Sequence, residues 1–165
     1  MSGTVFISHS SKDIADVELV RRLVSAQGLR VYLAEHDPQP GKHLPDKIRS
    51  NILAADAVLV LLTKASIDSR YVHQEIGVAQ AARRLIVPLV HPDLVGEDLA
   101  MLNGAEFLVF DPANPAGTTP DLVGQLKRIA DKAAVRDAAE ALLVAALVVG
   151  VMYVALKDGG GGAAG

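Results

Sequence analysis

The 165-residue sequence contains no cysteine, and it has no run of lysines and arginines broken by aromatic residues. Without cysteine the chain forms neither disulfides nor zinc sites with thiolate ligands, which fits a protein of the reducing cytosol. A formal net charge of -3 and a pI near 5.9 give no basic surface for nucleic acid. We therefore expect one globular domain that does not bind nucleic acid.

Several signatures of catalytic sites are also missing. No predicted strand is followed by a GxGxxG loop, and the P-loop pattern GxxxxGK[ST] is absent. Ser8, Ser10 and Ser11 lie outside any GxSxG elbow, and the five histidines lack the spacing of metal ligands. The sequence therefore argues against a dinucleotide-binding glycine loop, a serine nucleophile and a metal site.

Apolar runs alternate with segments of helical periodicity along residues 1–135. The run AVLVLL at 57–62 is apolar on both faces, as in a central strand of a parallel sheet. Strands are predicted at 4–8, 30–34, 57–62, 85–90 and 106–110, and helices at 13–27, 44–54, 69–83 and from 119 onward. This order predicts a flavodoxin-like α/β fold, a five-stranded parallel sheet with helices on both faces.

Glu75 is the residue that most suggests chemistry. It lies in the helix predicted between the third and fourth strands, four residues after Tyr71, so a ring and a carboxylate share one helix face. Open α/β sheets bind ligands at the carboxyl ends of their strands. Two alternatives are that Glu75 is a solvated residue pairing with Arg70 or Lys64 and that Tyr71 belongs to the core. We expect His73, on another helix face, to be exposed.

Two segments interrupt the alternation of strands and helices. Residues 35–43 (EHDPQPGKH) are polar and contain two prolines and a glycine, which predicts a loop at the carboxyl end of the second strand. Residues 141–156 (ALLVAALVVGVMYVAL) carry no charge. A helix of this length reaches about 24 Å, against a hydrocarbon core of about 30 Å.

The apolar segment is predicted to be a membrane anchor because it has no polar face. Basic residues precede it, which by the positive-inside rule leaves the domain in the cytoplasm: Lys127, Arg128, Lys132 and Arg136. We therefore interpret residues 136–158 as a single-pass transmembrane helix and residues 159–165 as a flexible Gly/Ala tail. The alternative is a helix buried in an oligomer or against the domain.

Four segments, in order, resemble the Toll/interleukin-1 receptor (TIR) domain family. Residues 5–13 (VFISHSSKD) resemble its first box, and residues 31–33 (VYL) followed by 40–42 (PGK) resemble its second strand and BB loop. Residues 69–76 (SRYVHQEI) are similar to the segment of enzymatic TIR domains that carries a tryptophan, three residues and a glutamate. Residues 86–90 (IVPLV) resemble the fourth strand.

This resemblance implies a prokaryotic-type enzyme that cleaves NAD+ to nicotinamide and ADP-ribose in a defence or cell-death response. NAD+ is then the substrate, and no cofactor is needed. Glu75 is implied as the catalytic residue, whose carboxylate holds the ribose hydroxyls and stabilises the oxocarbenium-like state. The other implied site residues line the nucleotide cleft or shape the loop that closes over it: Ser8, His9, Ser10, Pro40, Gly41, Lys42 and Tyr71.

The resemblance also implies partners and leaves alternatives open. Self-association, or contact with other TIR domains through the BB loop, is expected to activate the enzyme, and clustering in a membrane favours such assembly. The alternatives are an enzyme that makes cyclic or conjugated ADP-ribose, a non-enzymatic TIR adaptor, and an enzyme similar to nucleoside deoxyribosyltransferases.

Overall fold

The computed structural model describes residues 3–33 and 44–159, except for the side chains of residues 44, 45 and 149–159. These residues form five strands and four α-helices: β1 (Thr4–Ser8), α1 (Ile14–Ala26), β2 (Arg30–Tyr32), α2 (Leu44–Ala54), β3 (Ala57–Leu62), α3 (Arg70–Ala81), β4 (Leu85–Val90), β5 (Leu108–Val109) and α4 (Pro115–Gly159). The five predicted strands are confirmed. Between β4 and β5 the chain forms two short 3₁₀ turns, Pro92–Leu94 and Ala100–Leu102.

All neighbouring strands are parallel, in the order β2-β1-β3-β4-β5. This is the flavodoxin-like order that the sequence predicts. All six residues of β3 are buried, because the strand lies in the middle of the sheet with helices on both sides. The edge strands β2 and β5 have three and two residues, fewer than predicted.

Each face of the sheet carries its own apolar core. On one face, strand residues pack against α1 and α4. The buried core there includes Val5, Ile7, Leu59 and Leu61 of the strands with Val17, Val20, Leu122 and Leu126 of the helices. On the other face, strand residues pack against α2 and α3, and the core includes Phe6, Val58 and Val60 of the strands with Ile52, Val72, Ile76 and Ala79 of the helices. The candidate helix α3 therefore belongs to the second face, beside α2.

α4 is attached to the amino edge of the sheet. Arg136 of α4 forms an ion pair with Asp56, which precedes β3. The other carboxylate oxygen of Asp56 accepts a hydrogen bond from the backbone N–H of Thr4 at 2.8 Å. A Cβ atom added to Gly3 would lie 2.7 Å from the Cβ of Ala133, so the helix passes very close to the start of β1.

α4 continues through residue 136, where we predicted that a separate apolar helix begins. Its apolar side chains beyond that point are exposed as far as the structure describes them: Leu142, Leu143, Val144, Leu147 and Val148. The alternative of a helix buried against the domain is therefore wrong for these residues. Across residues 3–33 and 44–159, no helix combines the length and apolarity needed to cross a membrane. The predicted anchor is not confirmed, and residues 160–165 of the predicted tail lie outside the described residues.

Candidate functional site

The buried face of α3 contains one charged residue. The hydroxyl of Ser69 caps this helix by accepting a hydrogen bond from the N–H of Val72. Val72, Glu75, Ile76 and Ala79 then follow at helical spacing, and all four are buried. Such a stripe is normally apolar because it faces the core. Glu75 is the exception, and only 7% of its surface is exposed.

Glu75 is connected to the end of β1. The hydroxyl of Ser8, the last residue of that strand, donates a hydrogen bond to Oε2 of Glu75. Ser8 itself is fully buried. The alternative in which Glu75 is a solvated residue that pairs with Lys64 or Arg70 is wrong, since the carboxylate is buried, and Lys64 pairs with Asp93 at 3.4 Å.

A cavity of about 750 Å³ lies between α2 and α3. Glu75 and Tyr71 line it, as the shared helix face predicts, and 67% of the Tyr71 surface is exposed. The alternative that Tyr71 is part of the core is therefore wrong. The remaining lining residues come from both helices: Asp46, Ile48, Arg49, Gln74, Gly77, Val78 and Ala81.

Three polar residues of this cavity, Asp46, Arg49 and Gln74, were not predicted from the sequence. Arg49 brings a positive charge to a wall that also carries the carboxylates of Asp46 and Glu75. Asp46 and Arg49 are three residues apart on α2 and thus share a helix face, so the sequence could have grouped them. It could not have placed them in the cavity, because only packing shows which face of α2 lies beside α3.

The position of α2 is fixed by contacts with the sheet. Ile52 is fully buried in the apolar core on that face. Lys47 is also buried, and its Nζ lies 5.8 Å from the ring centre of Tyr32, which stacks on Phe6. A cation over an aromatic ring is attractive, so this contact holds α2 against β2.

The other predicted site residues after β1 are buried and do not line the cavity. His9 has its Nδ1 atom 3.2 Å from the carbonyl oxygen of Ile7. The hydroxyl of Ser10 accepts a hydrogen bond from the backbone N–H of Lys12, and the Ser10 carbonyl accepts one from the backbone N–H of Asp13. These bonds form the turn that leads into α1, and the predicted contacts of His9 and Ser10 with substrate stay predictions.

The predicted BB-loop contacts, Pro40, Gly41 and Lys42, lie outside the described residues. His73 is half-buried, and its Nε2 atom lies 2.7 Å from the carbonyl oxygen of Ile67. The expectation that His73 is exposed to solvent is therefore wrong. The contact ties α3 to the turn that follows β3.

A second group of ionisable residues lies around the start of α1. Burial raises the pKa of Asp16, the nearby carboxylate of Asp13 raises it further, and His91 opposes the shift. Asp13 accepts a hydrogen bond at 2.8 Å from the hydroxyl of Thr63, which follows β3. Among the residues that the structure describes, no three metal-ligating side chains form a cluster suited to a metal ion.

A family model described as TIR domain matches residues 5–117, which is most of the chain. The chain belongs to the TIR domain family. The match covers β1 from its second residue, the cavity helices α2 and α3, and β5, so the candidate site lies inside the TIR domain. No curated protein matches the sequence.

Solved structures show that the fold is shared, at sequence identities too low to show more. The TIR domain of the Toll-related receptor TRR-2 from Hydra magnipapillata is 17% identical, with a TM-score of 0.59 over 74% of this chain and 97% of that one. A metazoan TIR-STING receptor from C. gigas is 19% identical, with a TM-score of 0.59 over 74% of this chain and 39% of that one. A 2-desoxiribosyltransferase from Leishmania mexicana is 17% identical, with a TM-score of 0.50 over 74% of this chain and 97% of that one.

Proposed function

We propose that this TIR domain cleaves the bond between nicotinamide and ribose in NAD+. The observation that supports the proposal is the buried carboxylate of Glu75 on the wall of a 750 Å³ cavity. This volume falls within the range of about 300–1,000 Å³ that is typical of small-molecule sites. A carboxylate on an otherwise apolar stripe costs free energy of folding, and such a cost is common where a residue serves chemistry.

The proposed reaction needs a negative charge beside the ribose. When the bond between C1′ and the pyridinium nitrogen breaks, its electron pair goes to the nitrogen, and nicotinamide leaves as a neutral molecule. Positive charge then develops on the ribose, and the Glu75 carboxylate stabilises it while accepting hydrogen bonds from the ribose hydroxyls. Water adds to C1′ and releases a proton, so the products are nicotinamide, ADP-ribose and one proton.

Two other cavity residues suit the rest of the substrate. Tyr71 offers an exposed aromatic ring one turn from Glu75, on which the nicotinamide ring can stack. Arg49 offers a guanidinium, which binds phosphate oxygens through paired hydrogen bonds. We assign Tyr71 to the nicotinamide end of NAD+ and Arg49 to the pyrophosphate.

Assembly and location are proposed from the sequence resemblance. We expect self-association through the BB loop to raise activity, in a defence or cell-death response. Placement in a membrane through residues 136–158 also stays a prediction, and extraction of membranes with carbonate at high pH tests it. An integral protein stays with the membrane pellet, whereas release into the supernatant contradicts the anchor.

The decisive experiment measures NAD+ consumption by the full chain and by Glu75→Gln. This substitution keeps the size of the side chain and removes its charge, and we expect the rate to fall about 10²–10³-fold. Glu97→Gln is the matched control, because Glu97 is an exposed glutamate outside the cavity. Wild-type protein that leaves NAD+ intact, alone and at concentrations that drive assembly, would contradict the proposed activity and favour the adaptor.

Product analysis separates the enzymatic alternatives. Mass spectrometry of the reaction mixture is expected to show nicotinamide and linear ADP-ribose. A cyclic or conjugated ADP-ribose would instead identify a TIR enzyme that makes a signalling nucleotide. Because the fold is shared with a 2-desoxiribosyltransferase, deoxynucleosides are included as test substrates. Transfer of deoxyribose without cleavage of NAD+ would replace our proposal with that activity.

A further inference from the structure

Ser8 has a position that does not suit direct contact with a substrate. It is the last residue of β1, and its backbone is held in the sheet opposite Val60 of β3. Its side chain is fully buried, so a ligand in the cavity between α2 and α3 does not reach its surface. Its hydroxyl is used instead in the hydrogen bond to Glu75.

The surroundings of Glu75 make this hydrogen bond important. Its neighbours on the buried face of α3, Val72, Ile76 and Ala79, are apolar and cannot solvate a charge. A hydrogen bond donated to a carboxylate favours the ionised form and fixes the orientation of the group. A carboxylate has about four acceptor positions, so a bond from Ser8 does not by itself prevent the group from accepting bonds from ribose hydroxyls.

We propose that Ser8 is a positioning residue, whose hydroxyl holds the Glu75 carboxylate ionised and oriented toward the cavity. This inference rests on the proposed cleavage of NAD+ and deepens it. It gives Ser8 a role different from the nucleotide contact that the family resemblance implies. The rigidity of β1 is useful here, because a donor fixed in the sheet sets the position of a carboxylate on a separate helix.

The proposal is tested with Ser8→Ala, which removes the donor at almost unchanged volume. We expect kcat for NAD+ to fall about 10- to 100-fold, because a hydrogen bond to a charged group is lost, while KM changes less than about twofold. The matched control is Ser66→Ala. Ser66 is also a fully buried serine, but its hydroxyl bonds the backbone of Thr63.

The pH dependence separates positioning from a loss of packing. Without the donor Glu75 is protonated more easily, so the acid limb of the kcat profile is expected to move to higher pH in Ser8→Ala but not in Ser66→Ala. Among the residues that the structure describes, the ionisable groups that line the cavity with Glu75 are present in all variants: Asp46, Arg49 and Tyr71. A difference in the acid limb between wild type and Ser8→Ala is therefore caused by the loss of the Ser8 hydroxyl.

A direct titration keeps this test independent of catalysis. Carbon-13 NMR of the side-chain carboxyl of Glu75, assigned with Glu75→Gln, is expected to show a midpoint at higher pH in Ser8→Ala than in wild type. Ser8→Cys introduces a thiol, which is a weaker donor of similar size, and its midpoint is expected to lie between those of wild type and Ser8→Ala. This variant replaces Ser8→Ala in the test if the alanine variant does not fold. Equal midpoints in all variants overturn the inference. A wild-type protein that fails to cleave NAD+ overturns the proposed function, while the titration still decides whether Ser8 controls Glu75.

Discussion

Tyr71 and Glu75 lie one turn apart on α3 and line the same cavity, yet the ring is 67% exposed and the carboxylate 7% exposed. The difference arises because Glu75 is on the stripe that faces the sheet, whereas Tyr71 is at the rim of the groove beside α2. The exposed ring can therefore be changed with little effect on folding. The buried carboxylate is coupled to the core, and its substitution has to be judged with a measurement of stability.

Substitutions of Tyr71 are expected to change substrate binding and to leave stability unchanged. Tyr71→Ala removes the stacking surface and should raise KM for NAD+ several-fold, since an aromatic pair contributes about 0.5–1.5 kcal/mol. Tyr71→Trp enlarges the ring and should lower KM. Steady-state kinetics and thermal unfolding measure the two effects. Val135→Ala, a truncation of an exposed residue on α4, is the control, and a large loss of stability in Tyr71→Ala would contradict this assignment.

Arg49→Ala is expected to raise KM for NAD+ about tenfold or more, because a charged hydrogen bond to phosphate contributes about 1.5–3 kcal/mol. Cleavage of nicotinamide riboside, which has no phosphate, should not change. Arg22→Ala is the control, because Arg22 is exposed on α1 at the opposite face of the sheet. An equal rise in KM for NAD+ and for nicotinamide riboside would show that Arg49 does not bind the pyrophosphate.

Asp16→Asn is expected to stabilise the fold near neutral pH. Burial and the charge of Asp13 raise the pKa of Asp16 above the ordinary value of 3.8, so the ionised form is less favourable in the folded chain than in the unfolded one. The gain in free energy of unfolding is complete at pH values above the pKa that Asp16 has in the folded chain. It decreases as the pH falls through that pKa, and it is absent below pH 3.8. Urea unfolding at a series of pH values measures this, and a gain that persists at pH near 3 would contradict it.

Two glycine substitutions are expected to have opposite effects. Gly3→Ala would place a Cβ atom 2.7 Å from that of Ala133, so α4 must move and the fold should lose about 1–3 kcal/mol. Gly124→Ala adds a Cβ atom that meets nothing within 4 Å, and it should gain about 0.5–1 kcal/mol from helix propensity. Denaturant unfolding compares both with wild type. If Gly3→Ala is as stable as wild type, the close approach of α4 to β1 is wrong.

The fold was largely predictable because its signals are local. A strand such as 57–62, apolar on both faces, belongs in the centre of a parallel sheet whatever the rest of the chain does. Boundaries were less predictable: β5 has two residues where we predicted 106–110, because strand length at an edge depends on pairing with one neighbour. The composition of the apolar segment 141–156 did not decide whether membrane, protein or solvent surrounds it, since a long apolar run fits more than one environment.

The candidate site was predictable only in part. Glu75 and Tyr71 could be found because four-residue spacing places them together on any helix. Arg49 and Asp46 could not be placed there, because the rotation of α2 is set by Ile52 and Lys47 packing on the sheet. The burial of Glu75 was also hidden, since sequence spacing alone did not show that its stripe faces the core.

The sequence by itself determined the alternation of strands and helices and the placement of Tyr71 and Glu75 on one face of the same helix. These follow from side-chain periodicity, which each segment expresses on its own. Only the tertiary structure decided that Ser8 bonds Glu75, 67 residues away along the chain, and that α2 completes the cavity. Such contacts join distant segments, and their geometry is set by how helices pack on the sheet and not by any local pattern.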